Sequence, residues 1–80
     1  MSSNEILIKL RKLGLSNYEA KAYIALIEYG PLTANELSAI AMIPYSKIYE
    51  ALSKLREKGW INVEGGKPKK YFAKPPIQYL

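Results

Sequence analysis

The sequence predicts a mainly α-helical domain that ends in a two-stranded β-hairpin, and three observations lead to that fold class. Four amphipathic segments, each with residues typical of helix starts and stops, occupy residues 3–58. A Gly-Gly pair then divides two short segments of strand character within residues 60–74. The chain has 80 residues, which is enough for a single small domain over residues 1–80 with a thin core.

The first helix is predicted to begin at Ser3 or Asn4, because either side chain can accept a hydrogen bond from a free backbone N–H group of the first turn. Gly14 ends this helix, and Leu15 can fold back onto its last turn. The predicted core-facing stripe consists of Ile6, Leu10 and Leu13.

The second helix is predicted to open with a capping box, in which the Ser16 hydroxyl and the Glu19 carboxylate each satisfy a free backbone N–H group. Gly30-Pro31 stops this helix. Its predicted core-facing residues are Ala20, Ala22, Tyr23, Leu26 and Ile27. The alanines among them allow neighbouring helices to approach closely.

A short third helix and a longer fourth helix are separated by a tight turn. Thr33 opens the third helix with a second capping box, through Glu36, and the helix ends near Met42. Its predicted core-facing residues are Leu37, Ile40 and Ala41. Pro44 suits the first turn of the fourth helix, which is predicted over about residues 44–58. The predicted buried face of this helix consists of Ile48, Ala51, Leu52 and Leu55.

Residues 60–74 alternate in the way that is typical of a hairpin. The predicted strands are residues 60–64 and 69–74, with Gly65-Gly66 in the turn. Trp60 follows the end of the fourth helix and leads a strand, so we predict that it lies in the core rather than stacking on a ligand. Residues 76–80 have the pattern of the start of one more helix.

The missing residue types narrow the function classes. The chain contains no Cys, His or Asp, and its seven acidic residues are all Glu. Cysteine nucleophiles, Ser-His-Asp triads and zinc sites built from Cys or His are thereby excluded, and so is a disulfide framework. We therefore expect a protein that is not an enzyme and that needs no metal or other cofactor.

The first fifteen residues carry no targeting pattern. Lys9, Arg11 and Lys12 interrupt the apolar residues, so the uninterrupted apolar core of a signal peptide is missing. No apolar stretch approaches the roughly 20 residues that are needed to span a bilayer. The sequence therefore predicts a soluble, cytoplasmic protein without a membrane partner.

The positive charge is concentrated in the second half of the chain. The net charge is +5, and the residues before Ala41 contribute none of it, since four Lys or Arg residues balance four Glu residues there. A basic half suggests a polyanionic partner, either nucleic acid or an acidic membrane surface. A solvated, lysine-rich surface is the competing explanation.

A short helix, a tight turn and a longer helix form a helix-turn-helix at about residues 33–58, and the hairpin at about residues 60–74 corresponds to a wing. The longer helix can lie in a DNA major groove, which is about 12 Å wide. We therefore predict a winged helix-turn-helix that binds double-stranded DNA. The predicted contacts on the recognition helix are Tyr45, Ser46, Lys47, Tyr49, Glu50, Ser53 and Lys54. Thr33 at the start of the helix-turn-helix and Lys67, Lys69 and Lys70 in the wing complete the predicted interface.

Structural roles compete with some of these predictions. Tyr45 and Tyr49 are equally well explained by partial burial against neighbouring helices. Arg56 and Lys58 are better explained as a solvated helix end that complements the helix dipole. The wing lysines favour the functional interpretation, because a hairpin tip needs glycine but does not need three cations.

The sequence resembles the archaeal TrmB-like transcriptional regulators over about residues 10–80. Residues 13–26, LGLSNYEAKAYIAL, resemble the opening of those proteins, and residues 43–52, IPYSKIYEAL, resemble their recognition-helix segment. The similarity continues through KGWI at residues 58–61 and GKP at residues 66–68. The two longer segments together make the resemblance fairly specific.

The resemblance implies a winged helix-turn-helix that binds duplex DNA and regulates transcription, usually as a homodimer on a palindromic operator. It implies that Ser46 and Lys47 lie at the start of the recognition helix, against DNA, and that Lys67 and its neighbours form the wing. Three positions depart from the family pattern. Tyr45 stands where members often carry a basic residue, and Ala41-Met42 replaces the more usual Ser-Gly before the turn. Larger members continue into a coiled coil and a sugar-binding domain, so no small-molecule effector site is expected within these residues.

A protein-interaction module in a transcription-related assembly is the alternative function. In that case Tyr45, Tyr49, Tyr71 and Phe72 form an aromatic contact patch. An anionic membrane surface is a weaker alternative, because the hairpin brings no amphipathic helix with a strongly basic face.

Overall fold

The computed structural model describes residues 3–74, in which four helices and a three-stranded antiparallel sheet follow one another along the chain. The helices are α1 (Ser3–Lys12), α2 (Asn17–Tyr29), α3 (Ala34–Ala41) and α4 (Tyr45–Glu57). The strands are β1 (Leu32–Thr33), β2 (Ile61–Glu64) and β3 (Lys70–Ala73). The predicted helix at residues 76–80 lies outside the described residues. Within residues 3–74, no helix has the length and apolar character that crossing a membrane requires.

Helix α2 lies at the centre of the fold, because α1, α3, α4 and β3 all pack against it. Its small residues Ala20, Ala22 and Ala25 are buried, which lets the neighbouring elements approach closely. Tyr23 is fully buried, and its ring meets that of Trp60 edge to face, with the ring centroids 5.0 Å apart. The prediction that Trp60 belongs to the core is therefore confirmed.

Every helix in the described part of the chain contributes at least one large, fully buried side chain to the core. Those side chains, together with one from β2, are Leu10, Tyr23, Leu26, Leu37, Ile48, Leu52, Leu55 and Ile61. The predicted buried face of α4 is confirmed, since all four of its residues are buried. Burial of one such side chain contributes about 1.5–3 kcal/mol, which is a large share of the stability of so small a chain.

The starts of α2 and α3 are defined by side-chain caps. At α3 the predicted capping box is present: the Glu36 N–H donates to the Thr33 hydroxyl at 3.2 Å, and the Thr33 N–H donates to the Glu36 carboxylate at 2.9 Å. At α2 the Glu19 N–H donates to the Ser16 hydroxyl at 3.2 Å, as predicted. The principal partner of the Glu19 carboxylate, however, is Lys58.

The chain leaves α1 through a glycine turn. Gly14 has a φ of 101°, and the Leu15 N–H donates to the Leu10 carbonyl at 3.1 Å, which returns the buried Leu15 side chain to the core. The prediction that Leu13 faces the core is wrong, since its side chain is 52% exposed. Helix α1 ends at Lys12, and Leu15 fills the core position beyond the turn.

The end of α3 also differs from the prediction. Ile40 was predicted to face the core but is 40% exposed, and Ala41 is half-buried. Helix α3 has only eight residues, and the buried side chain at this end of the helix is Ile43, which lies beyond the turn.

Strand β1 was not predicted. Its two residues, Leu32 and Thr33, pair antiparallel with Tyr71 and Lys70 of β3, which gives the strand order β1-β3-β2. Two residues are too few to show an alternating pattern, so this strand has no sequence signal of its own. The consequence is that the hairpin belongs to a three-stranded sheet that reaches the start of α3.

Met42, in the turn between α3 and α4, adopts a backbone conformation that usually belongs to glycine. Its φ of 56° and ψ of 48° lie in the left-handed region, and its side chain is 81% exposed. The family pattern has glycine at the corresponding position of the turn, and the left-handed geometry is retained here with methionine. That geometry costs a residue with a Cβ atom about 1 kcal/mol or slightly more.

Replacement of Met42 by glycine should therefore raise the free energy of unfolding by about 1 kcal/mol, because glycine adopts this conformation without steric cost. Little packing is lost, since the methionine side chain is exposed. For a chain of this length the expected increase in Tm is about 4–8 °C, measured by circular dichroism during heating. The control is Ala39→Gly at an exposed position inside α3, which should lower the Tm instead. A Met42→Gly variant with an unchanged or lower Tm would contradict this account of the turn.

Candidate nucleic-acid interface

The residues predicted to contact DNA on α4 all lie on its exposed side. They are Tyr45, Ser46, Lys47, Tyr49, Glu50, Ser53 and Lys54. The opposite side of the helix is buried against the core. The 100° step of an α-helix separates the two groups, so one surface of α4 is available to a partner along its whole length.

The turn that positions α4 is held by hydrogen bonds between Ser38 and Ile43. The Ile43 N–H donates to the Ser38 carbonyl at 3.0 Å, and the Ser38 hydroxyl donates to the Ile43 carbonyl. Ser38 was not among the predicted site residues, and a serine in the last turn of a short helix is only a weak signal for this role. Together the two bonds fix the path of the chain into α4.

Two of the predicted contact residues on α4 form an ion pair with each other. The Lys54 Nζ lies 3.7 Å from the Glu50 Oε1, one helical turn away, and both side chains are exposed. Exposed ion pairs of this kind contribute little free energy and are easily broken. Lys54 can therefore exchange the carboxylate for a phosphate, and Glu50 can turn towards a base amino group in the groove.

Tyr45 and Tyr49 pack on each other at the start of α4. Their ring centroids are 5.6 Å apart with the planes at 83°, and their hydroxyl oxygens are 3.1 Å apart. The hydrogen bond between the two hydroxyls raises the pKa of Tyr45, with smaller contributions from burial and from the charges of Tyr49 and Tyr71. Each side chain is 52% exposed, so the rings shield each other rather than lying under a neighbouring helix.

The wing consists of β2, β3 and the loop at residues 65–69. Lys67 and Lys69 are exposed in the loop, and neither has an ion-pair partner among residues 3–74. Lys70 differs, because it begins β3 and lies opposite Glu64 in the strand register. The pKa of Glu36 is lowered by hydrogen bonds from Thr33 and, in smaller part, by the charge of Lys70. Lys67 and Lys69 are therefore the wing lysines whose positive charge is not neutralised by a carboxylate among residues 3–74, and we call them uncompensated.

The wing and the helix-turn-helix meet in a cleft, which we call the wing cleft. Its lining residues are Thr33, Ala34, Asn35, Tyr49, Pro68, Lys69 and Tyr71. Three predicted site residues from different parts of the chain, Thr33, Tyr49 and Lys69, thus surround one depression. The Thr33 hydroxyl accepts the Glu36 N–H, and hydrogen bonds from the Thr33 backbone and side chain to the Glu36 carboxylate lower the pKa of that group. Pairing of β1 with β3 holds the two sides of the cleft together.

A second depression lies on the other flank of α4, beside the start of α2. Its lining residues are Ser16, Tyr18, Glu19, Lys47, Glu50, Ala51 and Lys54. The depression brings Lys47 and Lys54 next to Tyr18, which is exposed. Tyr18 was not among the predicted site residues, because it is distant from α4 in sequence and only the folded chain brings the two helices together.

Lys58 connects the end of α4 to α2. Its Nζ donates to the Gly14 carbonyl at 2.9 Å and to the carboxylate of Glu19, which is only 3% exposed. Lys58 does lie at the end of α4 with its side chain 38% exposed, as predicted, but the prediction missed its ion pair with Glu19. Burial alone would raise the pKa of Glu19, but hydrogen bonds from Lys58 and Ser16 and the charge of Lys58 lower it below the usual value. The partners are 39 and 44 residues apart, so no local pattern reveals them.

The aromatic patch expected of a protein-interaction module is only half present on the surface. Tyr45 and Tyr49 are exposed, but Tyr71 is buried and Phe72 is half-buried. Burial raises the pKa of the Tyr71 hydroxyl, with a smaller contribution from Tyr49. The surface around α4 is consequently polar and basic with one aromatic pair, rather than broadly aromatic.

A short helix, a tight turn, an exposed second helix and a sheet with a basic loop define a winged helix-turn-helix protein. The family model described as sugar-specific transcriptional regulator TrmB matches residues 10–77 of the chain. The chain belongs to this family, as the sequence resemblance predicts.

Three known proteins illustrate the similarity. The HTH-type sugar sensing transcriptional regulator TrmBL1 of Pyrococcus furiosus is 41% identical over 71 residues, which are 89% of this chain and 21% of the relative. The solved structure of TrmBL2, described as an archaeal chromatin protein with a novel mode of DNA binding, has a TM-score of 0.86 and 33% identity, over 98% of this chain and 30% of that one. A MarR-family regulator from Silicibacter pomeroyi has a TM-score of 0.77 at 21% identity, over 91% of this chain and 51% of that one, and shows the fold alone. The chain thus spans less than a third of the length of the TrmB-like relatives.

Replacement of Lys58 by methionine should lower the free energy of unfolding at pH 7 by about 2 kcal/mol, because a buried carboxylate loses its principal partner. The folded pKa of Glu19 lies below the ordinary value of 4.5, so the pair stabilises the fold above that pH. Its contribution is lost as the pH falls through the folded pKa. Urea unfolding of the wild type and the variant should therefore give a large difference at pH 7 and a smaller one at about pH 3.

The matched control for this experiment is Lys54→Met, which removes an exposed lysine from the same helix. Its stability should stay close to that of the wild type at both pH values. If Lys58→Met lost the same free energy at both pH values, the loss would come from packing of the lysine stem rather than from the ion pair.

Proposed function

We propose that this chain is a cytoplasmic, sequence-specific DNA-binding regulator of transcription that works by binding and not by catalysis. Helix α4 enters the major groove of double-stranded DNA, and the wing lies on the phosphate backbone. One observation carries the proposal: α4, through the exposed Tyr49, and the wing, through the uncompensated Lys69, border the same wing cleft. Membership of a family of transcriptional regulators supports it.

The start of α4 suits contact with DNA. Ser46 and Lys47 are exposed in its first turn, and Pro44, which precedes the helix, provides no side-chain cap. The Lys47 N–H already donates to the Pro44 carbonyl at 2.8 Å, so the N–H groups of Tyr45 and Ser46 are the ones left for an anion, and the helix dipole favours a phosphate there. Ser46 adds a hydroxyl donor and Lys47 adds a charge. Further along the same side, Glu50, Ser53 and Lys54 complete the groove-facing surface.

The wing and the start of α3 supply the backbone contacts. Lys67 and Lys69 neutralise phosphates, because no carboxylate in the described part of the chain competes for them. Lys70 contributes less, since Glu64 and Glu36 lie near it. Thr33 lies at the edge of the wing cleft, where its hydroxyl can exchange the Glu36 carboxylate for a phosphate. These contacts set the orientation of α4 and carry little sequence information.

The working form that we propose is a homodimer on a site with two-fold symmetry. Two recognition helices then lie about 34 Å apart on one face of the DNA, which is one turn of the double helix. The chain measures 33 × 26 × 21 Å, so two copies side by side match that spacing without overlap.

The double variant Lys67→Ala/Lys69→Ala should weaken binding to all DNA sequences alike and reduce the salt dependence. If the wild type neutralises roughly four to six phosphates per protomer, log K should fall against log salt with a slope of about −4 to −5. Loss of two phosphate contacts should reduce the magnitude of that slope by about 2. Fluorescence anisotropy with labelled random-sequence duplex, titrated at several salt concentrations, measures both quantities.

The control is Lys12→Ala/Lys21→Ala, which removes the same charge from α1 and α2, away from the wing cleft. Its salt slope should match that of the wild type. Equal salt slopes for the wild type and both double variants would show that the wing does not contact DNA. Absence of binding by the wild type even at low salt would contradict the proposed function as a whole.

A further inference from the structure

The pair formed by Tyr45 and Tyr49 presents an apolar surface on a side of α4 that is otherwise polar. Each tyrosine is half exposed, and the two rings meet edge to face. Their hydroxyl groups are 3.1 Å apart and bond to each other. One of the two hydroxyl protons is used within the pair, so a partner that approaches this part of α4 meets two half-exposed rings and a single hydroxyl proton that the pair does not use.

The pair also has a defined position. Hydrogen bonding between the hydroxyls and the edge-to-face contact restrict both side chains to one arrangement before any partner binds. Tyr49 additionally lines the wing cleft beside Tyr71 and Pro68. Two rings held in this way lose little side-chain entropy on binding. They are therefore better suited to contact a partner than flexible polar side chains are.

The rest of α4 lacks the side chains that read adenine by paired hydrogen bonds. Helix α4 contains no Asn or Gln, and its one arginine, Arg56, lies in the last turn, so Lys47 and Lys54 are its exposed candidates for guanine. The only apolar feature that a base pair shows in that groove is the C5-methyl group of thymine. An exposed pair of aromatic rings at the start of a groove-binding helix is complementary to that feature.

We infer that Tyr45 and Tyr49 act together as a thymine reader, with their paired rings against C5-methyl groups in the major groove. This inference rests on the proposed function and deepens it, because it assigns a base preference to the exposed side of α4 that is proposed to contact DNA. In this arrangement Ser46 and Lys47 hold the start of α4 at the phosphate backbone, and the tyrosine pair selects thymine among the bases in the groove.

The test compares two duplexes that differ only in the methyl group. One is an alternating A·T duplex, and the other has uracil in place of every thymine. Wherever the protein binds along them, the first duplex presents thymine methyl groups and the second presents none. Burial of one methyl group corresponds to about a fourfold change in affinity, so the wild type should bind the thymine duplex at least about fourfold more tightly. Fluorescence anisotropy at a fixed salt concentration gives the ratio of the two Kd values.

Three variants assign the ratio to the tyrosine pair. Tyr45→Ser/Tyr49→Ser should reduce the ratio to about 1, whereas Tyr45→Phe/Tyr49→Phe keeps the rings and should retain the preference for thymine. The matched control is Tyr29→Ser, which removes an exposed tyrosine from the end of α2 and should leave the ratio unchanged. None of these substitutions changes a charge, so the salt slope should be the same in all four proteins.

The outcomes distinguish the inference from the proposed function. A wild-type ratio of 1 together with steep salt dependence would overturn the thymine reader and leave DNA binding intact. A serine variant that keeps the wild-type ratio would assign the preference to DNA shape and would also overturn it. Failure to bind either duplex at low salt would count against the proposed function itself.

A second measurement on the wild type needs no variant, in case the serine double variant does not fold. An alternating G·C duplex with 5-methylcytosine carries a methyl group at the same position in the major groove as thymine does. The wild type should bind it more tightly than the unmethylated duplex, again by about fourfold for each contacted methyl group. Equal affinity for the two G·C duplexes would contradict the inference.

Discussion

Packing of α1, α3, α4 and β3 around helix α2 determines where everything else in the molecule lies. The alanines of α2 allow close approach on several sides, and Tyr23 at its centre reaches Trp60 at the start of the wing. One side of α4 is thereby committed to the core. The exposed side of α4 is the candidate interface, so the orientation of the proposed DNA-contacting residues follows from the burial of the apolar residues on the opposite side.

Two further links join the parts of the candidate interface. Pairing of β1 with β3 attaches the wing to the start of α3, which closes the wing cleft around Thr33, Tyr49 and Lys69. Lys58 attaches the end of α4 to the buried Glu19 of α2 on the other flank. Both restrict how far the recognition helix and the wing can move relative to each other, and a pre-positioned surface binds with a smaller entropic loss.

Local patterns were enough to predict most of the fold and the exposure of the site residues. Caps such as Thr33 with Glu36, and the helical spacing of Ile48, Leu52 and Leu55, are properties of short segments, and the structure retains them. The features that sequence alone did not reveal depend on contacts between distant segments. Strand β1 exists only because β3 lies beside it, and Lys58 finds its partners about forty residues away.

Errors at Leu13 and Ile40 have the same origin. Each residue lies in or next to the last turn of its helix, where a core-facing stripe continues in the sequence pattern but the helix stops. The residue beyond the turn, Leu15 or Ile43, then occupies the core instead. The tyrosine pair is a related case, since helical spacing puts Tyr45 and Tyr49 on neighbouring turns but does not reveal that their hydroxyls bond to each other.

The central claim is that α4, the wing loop and the start of α3 form one surface for double-stranded DNA. Amide chemical shifts of the isotope-labelled chain, followed by NMR as duplex DNA is added at low salt, test it residue by residue. The account predicts that the largest shifts occur at the start of α4, in residues 65–69 and at Thr33. The apolar groove on the α1 side, where Leu7, Ile24 and Tyr29 lie, should change little. Shifts concentrated in that groove, with α4 and the wing loop unaffected, would contradict the account.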